Sequence, residues 1–112
     1  MQTFLVSTDY AECARVIDPK RLGNQCYREG VTLIKGGWKN HPASRMWQGH
    51  EHELAKYCLA LVEELANRGL DYPRWRHFFW TALAVFPDTG APDWMGDERV
   101  HSSHRSNLEL GS

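Results

Sequence analysis

The chain has 112 residues, 42% of them apolar and 24% charged, and 13 Lys/Arg against 14 Asp/Glu leave a formal net charge of −1. This is enough for one globular domain with a modest core, and it rules out a uniformly basic polyanion binder, so any affinity for an anionic partner has to come from local clustering. No apolar run approaches the ~20 residues that a membrane span requires, and no charged-then-apolar leader precedes a cleavage site, so a cytoplasmic location is expected.

In chain order, Thr3-Phe4-Leu5-Val6 is a short apolar run. Ser7 or Thr8 is expected to cap a first helix reaching Val16 and Ile17, with Asp9 and Glu12 favoured in its early turns by the helix dipole. Asp18-Pro19 restarts the chain as N-cap and first helical residue, where the missing proline N–H costs nothing. This second helix is expected to run to about Lys35 and to end at Gly36-Gly37, with Leu22, Cys26, Leu33 and Ile34 facing inward. Gly23 and Gly30 weaken it by roughly 1 kcal/mol each relative to Ala, which reads as a close approach by another element.

The positive charge is concentrated here. Between Arg15 and Arg45 lie Arg15, Lys20, Arg21, Arg28, Lys35, Lys39 and Arg45 against only Asp18 and Glu29, a local balance of +5. Residues 1–14 carry −2 and residues 46–112 carry −4. Such a stretch can seat an anionic partner while the remainder repels it, or it can be a solvated face paired with the acidic second half.

Trp38 to Pro42 is a turn, and Pro42 opens a short helix through Trp47. A long helix is expected from about Gln48 to Arg68, because Leu54, Tyr57, Cys58, Leu61, Val62 and Leu65 recur at spacings of three and four, and Gly69 closes it. Pro73 to Phe86 forms the next helix, Pro87 to Pro92 a loop, and Asp97 caps a last helix in GDERVHSSHRSNL. No repeat or strand alternation is present. The expected fold is all-α, a compact single-domain helical bundle of four to six helices over residues 1–112, with 109–112 set apart as a non-native or truncated tail.

Cys13, Cys26 and Cys58 are odd in number and form no C-x-x-C, so they read as buried reduced thiols. His50/His52 and His101/His104 are the paired imidazoles. Only the second pair shares a helix face, and no cysteine pair completes a zinc site, so neither metal nor cofactor is expected. His101, His104 and Arg105, beside Ser102, Ser103, Ser106 and Asn107, could instead grip phosphate. Glu29, surrounded by Lys20, Arg21 and Arg28, is a carboxylate that neighbouring cations would keep ionised; it could stabilise a cationic intermediate or simply pair along its helix.

RLGNQ, NHPASRMWQG, WMGDE and HSSHRSNL together resemble the pyrimidine-dimer DNA glycosylase family, the endonuclease V-type excision proteins, in its small phage and bacterial branch. The resemblance runs from MQTFL to about Leu108. It implies an all-α protein that binds damaged DNA in a basic groove and extrudes a base opposite the lesion. It also implies an N-terminal amine that attacks the deoxyribose C1′, forming an imine that releases the base and then cuts the strand. Carried over, Met1 supplies the amine and Glu29 the carboxylate, with Lys20, Arg21, Arg28, Lys39, His41 and Arg45 on phosphates and His101, His104 and Arg105 beside the site. In the family pattern RLGKQ is followed, after two intervening residues, by Glu; here Arg28 holds that position and Glu29 lies one place later, ~100° around a helix. Gln2 is bulky where founding members have a small residue, so Met1 is expected to be retained. The readings set against the enzyme are a non-catalytic nucleic-acid- or nucleotide-binding module, and a protein adaptor presenting a Trp-rich face.

Overall fold

The computed structural model describes residues 7–17, 19–24, 34 and 46–110, with side chains described except at 19, 20, 24 and 107–110. It is helical, with no strand among the described residues. Its helices are α1 (Tyr10–Arg15), α2 (Pro19–Asn24), α3 (Glu51–Asn67), α4 (Pro73–Val85) and α5 (Glu98–Leu110). The radius of gyration is 13.0 Å, matching the ~13 Å of a compact domain of this length.

The bundle is built on α3, which packs against α1, α2 and α4. Its buried residues are Leu54, Ala55, Tyr57, Cys58, Leu61, Val62 and Leu65, the apolar positions expected from spacing with Ala55 added. Cys13, Ala14 and Ile17 come in from the α1 side, Leu22 from α2, Phe79 and Ala82 from α4, and Ile34 and Trp47 from the intervening chain. Cys13 and Cys58 are buried, as their sequence context suggested; Cys26 lies outside the described residues.

Two helix starts differ from expectation. The cap of α1 is Asp9, whose carboxylate accepts from the Ala11 and Glu12 N–H groups at 3.0 and 3.2 Å. Ser7 sits further back, its hydroxyl accepting from Asp9 N–H at 3.2 Å. A carboxylate at the cap also answers the helix dipole, which a hydroxyl does not. The long helix begins at Glu51, with His50 as N-cap, instead of Gln48. Gly49 at φ 80° turns the chain out of the helix that ends at Trp47, and His50 N–H closes that turn on the Trp47 carbonyl at 2.8 Å.

The far end of α3 behaves as expected of a glycine stop. Gly69 takes φ 89°, Leu70 N–H reaches the Leu65 carbonyl and Gly69 N–H the Ala66 carbonyl, so both orphan acceptors are satisfied. Arg68, paired with Glu64 at 2.8 Å, also donates to the Ala14 and Arg15 carbonyls, tying the α3 terminus to the end of α1.

At Gly23 no described residue makes the expected close approach. Among the described residues a Cβ there would meet nothing within 4 Å, and its φ lies outside the left-handed region. Gly23→Ala is therefore expected to stabilise the fold by about 1 kcal/mol, read as a higher urea midpoint at unchanged slope. Gly30, the continuation of that helix to Lys35, and the Gly36-Gly37 stop lie outside the described residues.

Candidate nucleic-acid interface

Trp47 carries the segment MWQGH into the core, which positions the site. Trp47, 2% exposed, stacks on Tyr57 with centroids 5.9 Å apart and 13° between planes, and meets the edge of Trp94 at 5.2 Å. Trp94 Nε1 donates to the Met46 carbonyl at 2.9 Å, so the loop before α5 is bonded to the residue that follows Arg45 in the chain. The loop after α4 is fastened to the same turn. Thr89 Oγ1 donates to the Gly49 carbonyl at 2.6 Å, and His50 Nδ1 lies 3.0 Å from the Gly90 carbonyl.

Between this junction and α5 lies a cleft of about 540 Å³ lined by Met46, Trp94, Asp97, Arg99, Val100, Ser103 and His104. The expected cap forms: Asp97 accepts from Arg99 N–H at 3.0 Å and anchors the first turn of α5. Its carboxyl is held below the usual range by hydrogen bonds from the Arg99 guanidinium and then the Arg99 N–H. A guanidinium, an imidazole and a hydroxyl thus stand around an apolar floor. That combination can hold a sugar or base against the floor and an anion at the rim.

Of the three α5 groups expected to grip phosphate, only His104 lines this cleft. It is buried, 6.3 Å from the Trp94 ring. His101 is buried and its Nε2 accepts from Gly96 N–H at 2.9 Å, which holds the turn before α5. Arg105 is half-exposed and ion-paired with Glu98, about two turns earlier on the same helix face. Arg99, which composition did not single out, is 92% exposed and reaches the cleft from the first turn of α5; the Asp at the helix start was its only signal. Arg21 is half-buried in α2, and Lys20 lies on the same helix. Met1, Arg28, Glu29, Lys39, His41 and Arg45 lie outside the described residues.

The acids of the second half are largely engaged within that half. Glu53 pairs with Lys56, Glu64 with Arg68, Glu63 and Asp71 with Arg76, Asp97 with Arg99 and Glu98 with Arg105. Asp88 lies 4.0 Å from Lys56, and its carboxyl is lowered by the Gly90 N–H and then by Lys56.

His52, Glu53 and Asp88 offer ligand atoms within 4.8 Å of one another. Lys56 is already 3.1 Å from Glu53, which also accepts from the Tyr10 hydroxyl at 2.6 Å. Burial and then this bond push Tyr10 far above the ordinary phenol range. The cluster is closed by an ammonium and a phenol. The Trp-rich face of the adaptor reading is not found among the described residues: Trp47 is buried, Trp75 and Trp94 are half-buried, and Trp80 alone is exposed.

The family model for pyrimidine dimer DNA glycosylase matches residues 1–77, well over half of the chain. The chain belongs to the pyrimidine dimer DNA glycosylase family. Membership implies a DNA substrate, and the match covers the whole cationic stretch, α3 and the start of α4. It stops short of WMGDE and HSSHRSNL, and so of His101, His104 and Arg105. Searches of curated proteins and of solved structures returned no match. No helix among the described residues is long and apolar enough to cross a membrane.

Proposed function

We propose that the protein is a base-excision enzyme for damaged or modified pyrimidines in DNA, joining glycosylase to AP-lyase chemistry through an imine. The unprotonated Met1 amine attacks the deoxyribose C1′. The glycosidic bond breaks, its electron pair leaves with the base, and the base takes up the proton that the amine gives up. Opening of the C1′–O4′ bond, with a proton to O4′, leaves an imine at C1′. Loss of a C2′ proton then expels the 3′ phosphate with the C3′–O electron pair and cuts the strand. Glu29 serves as the carboxylate that steadies the cationic imine and passes protons.

Family membership carries this reading, because the matched region contains every cation from Arg15 to Arg45. Lys20, Arg21, Arg28, Lys39, His41 and Arg45 are proposed to neutralise phosphates. His104 and Arg99 extend that surface into the cleft, His101 supports it from behind, and Arg105 joins it on exchanging Glu98 for phosphate.

A duplex carrying a pyrimidine dimer is expected to be incised at the lesion while the undamaged duplex stays intact. Log affinity should fall linearly with log salt, by about 0.9 for each phosphate neutralised. Equal handling of the two duplexes would defeat the proposal.

A non-catalytic DNA-binding module of the same fold is the second reading, favoured by Arg28 standing where the family has its Glu. Salt-dependent binding without incision of any lesion duplex would select it.

A further inference from the structure

We infer that the start of α4 is a seat for an unpaired nucleotide of single-stranded DNA, its base stacked on Tyr72 and its phosphate met by Arg74; this rests on the DNA-acting function proposed above. The Tyr72 and Trp75 rings are stacked, with centroids 4.4 Å apart and 20° between planes. Trp75 is packed against the core, whereas Tyr72 is 37% exposed. One face of Tyr72 is therefore held by a packed neighbour while the residue stays open to solvent, so little side-chain freedom is left to lose when a third ring stacks on it. Asp71, Pro73 and Arg74 complete a surface cleft of about 440 Å³ around the two rings.

Charge selects the occupant. Of the six cations after residue 45, Lys56, Arg68, Arg76, Arg99 and Arg105 are engaged by carboxylates. Arg74 is exposed and makes no ion pair or hydrogen bond among the described residues. Asp71, the only carboxylate of the cleft among the described residues, is bound by Arg76 at 2.9 Å and so is not committed to Arg74. An aromatic face beside an uncommitted guanidinium meets both halves of a nucleotide, the π face of any base and the phosphate. A duplex keeps its base faces inside its own stack, so an unpaired nucleotide is the form that can use Tyr72. A proline-rich peptide could also lie on the rings, but it would leave the guanidinium without a partner.

Binding of a short oligothymidylate to the full chain tests this. Tyr72→Ala should weaken it by about five-fold or more, since stacking on one aromatic is worth ~1–3 kcal/mol per base, while Tyr72→Phe should hold wild-type affinity. Tyr72 makes no side-chain cap bond, so the helix end survives the substitution, and helical circular dichroism verifies it. Arg74→Gln should lower the salt slope by about 0.7, one single-strand phosphate. Unchanged affinity in Tyr72→Ala, or a proline-rich peptide that binds there undisturbed by oligothymidylate, would overturn the assignment. Incision of dimer duplex is read separately in the same variants. Its absence from the wild type, with Tyr72-dependent oligothymidylate binding intact, would count against the enzyme and not against this seat.

Discussion

Trp47→Ala is expected to remove about 3–5 kcal/mol of stability, the loss typical of emptying a fully buried large aromatic site. Against a total of ~5–15 kcal/mol for a domain, that leaves the variant marginal or unfolded near room temperature. The reason is the number of elements that meet at this ring. Trp47 stacks on Tyr57 of α3, Tyr57 in turn meets Tyr10 of α1 edge-on at 5.8 Å, and Trp94 packs on the other side while bonding the Met46 carbonyl. Removing it unseats the turn to α3 and the loop before α5 together. Urea unfolding gives the cost, and Trp47→Phe should lose less because stacking on Tyr57 survives. A Trp47→Ala midpoint within error of wild type would mean that the ring is not a junction.

The second large effect lies at the amine. Acetylating the N-terminus of the purified protein should depress strand incision by at least about 10³-fold, because an amide nitrogen has no lone pair available for imine formation. Binding to the same duplex should change little, since one charge is lost from a surface that carries many. For the unblocked protein the rate should rise with pH and level off above the amine pKa, near ~7.7–8.0 for an ordinary terminus. The sign follows from chemistry: only the neutral amine attacks, and protonation below that pKa removes it. Acetylated protein that incises at the native rate would transfer the chemistry to another group.

Much of the frame could be read from residue spacing. The α3 stripe from Leu54 to Leu65, the Gly69 stop, the Pro73 start and the Asp97 cap all follow from local rules, and local rules act wherever neighbours in sequence are neighbours in space. The starts of α1 and α3 are decided by competition between adjacent candidates. Ser7, Thr8 and Asp9 can all cap, and the carboxylate wins through charge; Gly49 ends one helix and forces the next to begin later.

The site was less legible because its parts meet only in the fold. No spacing links Trp47 to Trp94, His101 to Gly96, or Met46 to His104 across α5. Equally, Arg105 and Arg99 look alike in sequence; their different roles come from which carboxylate each one meets.

Borohydride reduction during reaction with a dimer-containing duplex reaches the central claim most directly, since it freezes the imine as a secondary amine. The expected product is a covalent protein–DNA complex whose cross-linked peptide begins at Met1. Incision without any trapped complex, under conditions where an authentic imine-forming lyase is trapped, would contradict the account, as would a cross-link mapped to a lysine.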